Sequence, residues 1–198
     1  YVDYRVHAGA GQILTVSMTA SNGQNHFNIH PPGTDVSMHT GSLAGRYARR
    51  ILAADGDYTI RVYLMRAAER RGEDSRYTLR VGLQGRRLEP LAADRDALVA
   101  DTPFHAAATI PCSMNRSPER RTCEAGVIRR GNDGTATLDV RWPDGAGERL
   151  RRILFVKGRP VAADSTEVIR HSRRGDRSVI RLGVDERFEI ADALIHGG

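Results

Sequence analysis

The segment 56–72 constrains this chain most, because a regular alternation of side chains leads directly into a run of arginines. Every second residue from Tyr58 to Leu64 is apolar, which is the two-residue period of a strand with one buried face. Residues 66–71 are then strongly basic. We predict a core β-strand over residues 58–65 that delivers a basic loop to the end of a sheet, where binding residues are often found.

Similar strand signals recur through the first half of the chain. Runs with β-branched or aromatic residues are separated by turn residues such as Asn22-Gly23 and Asp55-Gly56-Asp57. The predicted strands cover residues 4–8, 12–19, 26–30, 44–53, 58–65 and 77–83. This even spacing predicts a mainly β protein whose first domain, residues 1–84, is an antiparallel β-sandwich.

Residues 85–105 interrupt this pattern with charged and alanine-rich sequence, and we predict a linker there. A second, small β-rich domain is predicted over residues 106–198. Its expected strands are residues 124–130, 135–142, 149–156 and 178–182. Two turns, Asn132-Asp133-Gly134 and Pro143-Asp144-Gly145, are expected to connect the first three of them as hairpins.

The chain has two cysteines, Cys112 and Cys123, on either side of a polar segment, residues 113–122, which we predict to be a loop. One disulfide is the favoured interpretation, and it implies an oxidising compartment. Two unpaired thiols and half of a metal site are the alternatives. A zinc site usually has a closer cysteine pair with further ligands nearby. We therefore expect a periplasmic or secreted protein.

The positive charge is carried almost entirely by arginine. Lysine and arginine number 30 against 24 acidic residues, for a formal charge of +6, and Lys157 is the single lysine. Arginine suits bidentate contact with carboxylate or phosphate, although the same composition also fits a solvated basic surface. Arginine doublets are scattered over the chain and aromatic residues make up 6%, so we do not predict nucleic-acid binding.

No convincing catalytic arrangement is evident. His26, Asn28 and His30 fall on one strand face and could hold a metal only with a further ligand such as Asp35 or His39. We predict no metal, no cofactor and no enzymatic activity. No apolar run approaches the ~20 residues that span a bilayer. The chain begins inside an alternating segment at Tyr1, so we expect that a leader or another segment precedes it.

Several motifs of the first domain follow one another in a characteristic order. They are Gly11-Gln12, Ser21-Asn22 before Phe27, Pro32-Gly33, Gly56-Asp57-Tyr58-Thr59-Ile60-Arg61-Val62, and Arg66 with Arg70. In this order they resemble the bacterial periplasmic inhibitors of goose-type lysozyme. The likeness covers about two-fifths of the chain, and the pre-peptidase C-terminal β-sandwich modules share part of it. The second domain matches no functional family.

This resemblance implies a protein that blocks the substrate cleft of a lysozyme and performs no chemistry. The implied partner-binding residues are Ser21, Asn22, Tyr63, Arg66 and Arg70. A guanidinium is the natural partner of a catalytic carboxylic acid in such a cleft. The alternative is an envelope module in which the same arginines bind an anionic wall polymer or glycan.

Overall fold

The computed structural model describes residues 1–114, 117–143 and 149–197, with backbone alone for residues 117–120. The chain divides into two compact units, Tyr1–Arg87 and Leu88–Gly198. Both are built from antiparallel sheets, and the prediction of a mainly β protein is confirmed.

The first unit is built from two antiparallel sheets with a shared core. The sheet orders are β1-β6-β3-β4 and β5-β2-β7. The strands are β1 (Val2–Ala8), β2 (Ile13–Ala20), β3 (Asn25–His30), β4 (His39–Thr40), β5 (Tyr47–Ile51), β6 (Gly56–Leu64) and β7 (Tyr77–Gln84). Two short helices, α1 (Gly41–Ala44) and α2 (Arg66–Arg70), connect strands.

The core of the first unit follows from the alternation of its strands. In β6 the side chains of Tyr58, Ile60 and Val62 are buried. They meet inward-facing residues of the other strands, because the period of two puts alternate side chains on one face. The main buried members of this core are Leu14, Val16, Phe27, Ile29, Met38, Leu52, Tyr58, Ile60 and Val62.

Two local predictions for the first unit are wrong. Residues 66–71 were expected to form a loop, but Arg66–Arg70 is helix α2, because Arg, Ala and Glu are good helix formers. Gly72, at φ +67°, then ends the helical segment. A single strand was expected over residues 44–53, but Gly45, at φ +85°, separates α1 from β5.

The second unit is one eight-stranded antiparallel sheet that nearly closes into a barrel. Its strand order is β12-β11-β10-β9-β8-β15-β14-β13. The elements are β8 (Ala106–Met114), β9 (Ser117–Arg129), β10 (Ala136–Arg141), β11 (Leu150–Val156), β12 (Arg159–Ala163), β13 (Ile169–Arg174), β14 (Arg177–Leu182), β15 (Glu186–Ala191) and α3 (Asp192–His196).

The two cysteines of the second unit form the predicted disulfide. Cys112 on β8 and Cys123 on β9 lie on neighbouring strands, where Cys123 is opposite Ile110 and Cys112 is opposite Arg121. The polar loop expected between them is a hairpin instead, and Met114 still pairs with Ser117. The bridge is buried in the apolar core of the barrel, close to Val127, Leu138, Phe188 and Ile190 in the same cluster.

Polar contacts hold the segment before β8 against the second unit. We predicted a linker over residues 85–105, and the structure includes Leu88 onward in that unit. The Leu91 amide donates to the Arg129 carbonyl at 2.8 Å, and Arg129 forms a 2.8 Å ion pair with Asp96. The charged sequence gave no sign of these contacts, because Arg129 lies 33 residues after Asp96 in the chain.

Residues 144 and 145 of the second predicted turn lie outside the described residues.

Candidate functional site

One end of the sandwich gathers the turn between β2 and β3, helix α2 and the connection from α2 to β7. The Met65 amide donates to the Gln24 carbonyl at 3.0 Å, which extends the pairing of β3 and β6 up to the start of α2. The Asn25 side chain donates to the Ser75 hydroxyl at 2.8 Å. Loop and helix are therefore fixed to one another at this end.

Helix α2 is anchored through one buried residue. Ala68 is fully buried, and its carbonyl accepts the Glu73 amide at 3.1 Å. Arg66 and Arg70 lie four residues apart and so share a helix face. Both are exposed, and neither forms an ion pair or a side-chain hydrogen bond with any residue that the structure describes. We call the exposed face formed by Arg66 and Arg70 the α2 surface.

The charge around the α2 surface is nearly balanced. Residues 66–76 contain four arginines and three acidic residues, for a formal charge of +1. Arg71 is paired with Glu73 at 2.5 Å. Recognition at this surface would therefore depend on where the free guanidinium groups stand, since the segment has little net charge for long-range attraction.

Asn22 and Ser21 make mainly internal contacts. The Asn22 amide donates to the Glu73 carboxylate at 2.8 Å, and its side-chain oxygen accepts the Gln24 amide at 2.8 Å. The Ser21 hydroxyl accepts the Arg76 amide at 3.0 Å. These two residues hold the turn against the segment after α2. They therefore support the α2 surface and do not form part of it.

The Glu73 carboxylate is held in its charged form by its neighbours. The hydrogen bond from Arg71, and after it the one from Asn22, lowers the pKa of Glu73 below its usual value. Hydrogen bonds donated to a carboxylate favour the ionised form. The brace between the turn and α2 is therefore complete at neutral pH.

Tyr63 lies on the outward face of β6, three residues before Arg66. It stands opposite His26 on β3, and the two ring centroids are 6.1 Å apart. Burial, and after it the charge of Arg46, lowers the pKa of His26, so this imidazole is neutral at pH 7. Tyr63 and His26 thus form an aromatic, uncharged pair on the outward faces of β6 and β3.

The histidines that we considered as metal ligands have different surroundings and do not converge on one point. His26 and His30 share the outer face of β3, as expected. His30 contacts the Asp35 carbonyl at 3.1 Å. His39 is buried, stacked on Phe27 and bonded to the Gly45 carbonyl at 3.0 Å. Among the side chains that the structure describes, in residues 1–114, 121–143 and 149–197, no three His, Cys, Asp or Glu are grouped as a metal site would require.

Two arginines near the candidate residues have partners within the first unit that we did not predict. Arg61 forms a bidentate pair with Asp3 at 2.8 and 2.7 Å and lies over the ring of Tyr1. Arg46 donates to the carbonyls of Asn25 and Asn22 at 2.8 and 2.7 Å. Opposite charges at a strand pairing could have suggested the first contact, but nothing local signals the second.

The second unit contains buried charges of its own. Arg152 lies between Asp139, at 3.3 Å, and Asp164, at 3.6 Å. Burial raises the pKa of Asp164 to about 7 against the opposing charge of Arg152, and burial also raises the pKa of Asp139. Inside the barrel, Arg151 forms a bidentate pair with Glu186 at 2.8 and 2.9 Å. Because the pKa values of Asp139 and Asp164 are raised, we expect the stability of this unit to depend on pH.

No family model and no curated protein matches the chain. Among solved structures, it is similar to the crystal structure of PliG from Aeromonas hydrophila, described as a periplasmic lysozyme inhibitor of g-type lysozyme. The two sequences are 31% identical, and the match covers 41% of this chain and 74% of that chain with a TM-score of 0.36. In the described part of the chain, no helix is both long and apolar enough to cross a membrane.

Proposed function

We propose that the first unit is a non-catalytic binding module that inhibits a goose-type lysozyme by inserting the α2 surface into the substrate cleft. The observation that carries the proposal is the exposure of Arg66 and Arg70 on one face of α2, with no ion-pair partner among the described residues. The lysozyme as partner comes from the resemblance of the sequence motifs, and it agrees with the description of PliG.

The chemistry of the α2 surface suits an acidic cleft. A guanidinium forms strong, directional hydrogen bonds with a carboxylate, and glycoside hydrolases use a pair of carboxyl groups at the scissile bond. Arg66 and Arg70 are available for such contacts, whereas Arg61 and Arg71 already have carboxylate partners in Asp3 and Glu73. Blocking the cleft needs binding alone, so no catalytic group is required of this chain.

Within this proposal the predicted site residues have different tasks. Arg66, Arg70 and Tyr63 contact the enzyme, while Ser21 and Asn22 hold the turn that supports α2 through the Arg76 amide and Glu73. Substitution of Asn22 would then weaken inhibition indirectly, by releasing α2 from its position.

The same proposal includes an extracytoplasmic location. The Cys112–Cys123 disulfide is stable in an oxidising compartment such as the periplasm or the extracellular space. Goose-type lysozymes act on the cell wall, so inhibitor and enzyme would meet there.

The test is the rate at which a goose-type lysozyme clears a suspension of bacterial cell walls. Stoichiometric protein should slow clearing, and Arg66→Ala with Arg70→Ala should weaken inhibition by about 2–4 kcal/mol, the range of interface hot spots. A matched control is Arg49→Ala with Arg80→Ala, since both are exposed arginines of the same unit. The control removes the same charge away from the α2 surface and should inhibit normally.

Three results would count against this proposal. An unchanged clearing rate at micromolar protein would exclude it. Equal losses in both double variants would show that total charge is responsible and not the α2 surface. Binding to purified cell walls without any effect on the enzyme would favour the alternative, an envelope module whose arginines bind an anionic wall polymer.

A further inference from the structure

The hairpin of β13 and β14 carries an unusual concentration of positive charge. β13 is the last strand at one end of the sheet order in the second unit. Residues 169–182 contain five arginines and one aspartate, for a formal charge of +4. None of these residues belongs to the α2 surface, so the hairpin is independent of the function proposed above.

The strand register places like charges directly opposite each other. Arg170 pairs with Arg181, and Arg174 pairs with Arg177. Residues that are directly opposite share a face of the sheet, and so do residues four apart along one strand. The four side chains therefore stand on the same face, which we call the four-arginine face. Like charges in opposite positions destabilise a sheet, so this arrangement carries a cost to folding.

Nothing in the described part of the unit compensates this charge. All four arginines are exposed, and none forms an ion pair with a residue that the structure describes. Two neighbouring arginines do form ion pairs, Arg173 with Asp192 and Arg187 with Glu189. Glu189 stands on the four-arginine face, opposite Val179, but its carboxylate is paired with Arg187, which is opposite Arg181, and not with any of the four arginines.

The spacing of the four arginines defines what they could bind. Each cross-strand pair brings two guanidinium groups together, and two guanidinium groups can hold one phosphate or carboxylate group. The two pairs are four residues apart along the strand, which corresponds to about 13 Å at the rise of a β-strand. A ligand that uses both pairs must therefore carry anionic groups along an extended chain.

We propose that the four-arginine face binds an extended acidic glycan whose anionic groups bridge the two arginine pairs. Charge complementarity argues for a polyanion. The absence of Phe, Tyr and Trp from residues 169–182 argues for a glycan over a single-stranded nucleic acid, because bases would find no aromatic side chain to stack on. This would give the second unit a role in attaching the protein to envelope polymers.

The experiment measures binding of the full chain to defined anionic oligomers by calorimetry at low and high salt. A galacturonate decamer supplies carboxylates on a glycan, a linear polyphosphate of similar length supplies phosphates, and the corresponding dimers are too short to bridge the two pairs. An oligothymidylate of equal charge represents nucleic acid. We expect the decamer to bind, the dimer to bind at least about tenfold more weakly, and binding to fall as salt screens the charges. Comparison of galacturonate with polyphosphate shows which anionic group is preferred.

Two double variants remove one arginine pair each, namely Arg170→Ala with Arg181→Ala, and Arg174→Ala with Arg177→Ala. Each should weaken decamer binding about tenfold, within the range expected for the loss of two exposed charge pairs. The control Arg49→Ala with Arg80→Ala should bind within about twofold of the parent chain, a change below 0.5 kcal/mol. The matching Arg→Lys double variants preserve charge and fold while removing bidentate contacts, and they should show an intermediate loss.

Four results would overturn the proposal. Failure of the decamer to bind at low salt would leave the arginines a role only in preventing edge-to-edge pairing of strands. Equal affinity for dimer and decamer would exclude bridging. Equal losses in the control variant would show that net charge alone attracts the polymer. Tighter binding of the oligothymidylate than of the glycan would assign the face to nucleic acid.

Discussion

The side-chain amide of Asn22 donates a 2.8 Å hydrogen bond to the carboxylate of Glu73, and this contact joins the turn after β2 to the segment after α2. It is one of several polar contacts that hold the short helix in place. The Asn22 oxygen at the same time accepts the Gln24 amide. One side chain therefore stabilises both the turn and the helix that presents Arg66 and Arg70.

Replacement of Asn22 should destabilise the first unit. Asn22→Ala removes the hydrogen bond to the Glu73 carboxylate and the one accepted from the Gln24 amide. Loss of the Gln24 contact alone should lower the free energy of unfolding by about 0.5–1.5 kcal/mol, because the freed amide is exposed and can bond water. Urea unfolding followed by tyrosine fluorescence measures it, since all six tyrosines precede residue 88. Gln24→Ala, which truncates an exposed side chain in the same turn, is the control. A stability equal to that of the parent chain would show that the hydrogen bond has no structural role.

The second unit should become less stable as the pH rises from 4 to 7. The folded pKa of Asp164 is about 7, above its unfolded value of 3.8, so the unfolded chain loses this proton first. The stabilisation is complete below pH 4 and is lost progressively as the pH rises to 7, with an upper limit of about 4 kcal/mol.

Trp142 provides the measurement for Asp164, because it is the single tryptophan of the chain and packs against Phe188 in the second unit. The urea concentration at the midpoint of unfolding, measured by Trp142 fluorescence, should decrease as the pH rises from 4 to 7. Asp164→Asn should flatten most of this slope, with a remainder from Asp139, whose pKa is also raised. A slope that is identical in the variant would assign the pH dependence to other groups.

Breaking the buried pair between Arg151 and Glu186 should be costly. Their side chains are 10% and 6% exposed, and Glu186→Leu leaves an uncompensated buried guanidinium. We expect a loss of about 3–5 kcal/mol, whereas Arg151→Met combined with Glu186→Leu should recover most of it, since an apolar pair of similar size avoids desolvation. Trp142 fluorescence in urea compares the three proteins. If the double variant is as unstable as the single one, packing of these side chains matters more than their charges.

Reduction of the disulfide should affect the second unit alone. Cys112 and Cys123 are 11 residues apart, and opening a loop of this size costs about 3 kcal/mol on the chain-entropy model. The Cys112→Ala, Cys123→Ala variant should show an earlier Trp142 transition and an unchanged tyrosine transition. A shift of both transitions would show that the bridge stabilises more than its own unit.

Much of the architecture could be predicted from the sequence, because alternation in segments such as β6 depends only on which face is buried. The disulfide was predictable from the cysteine count. The helix at α2 was missed although Ala67, Ala68 and Glu69 favour it and Gly72 marks its end. We predicted a loop because this segment lies between two predicted strands, and that position outweighed the local helix preferences.

Other features could not be read from the chain because they depend on distant pairing. The four-arginine face exists only through the register of β13 and β14, and β13 was not predicted as a strand. The internal use of Asn22 likewise requires Glu73, 51 residues away. Resemblance between motifs pointed to residues at this end of the sandwich, but it could not distinguish side chains that make internal contacts, such as Asn22, from exposed ones such as Arg66.

Helix α2 has five residues, and a peptide of that length does not hold a helix in water. Its shape is imposed by the burial of Ala68 and by the contacts of the flanking turn. The backbone entropy of ordering this segment is therefore lost when the unit folds, before any binding partner is met. A preorganised surface of this kind favours binding without a change in backbone conformation. The dissociation rate of such a complex would depend on how well the contacts fit and not on a rearrangement after the partners meet.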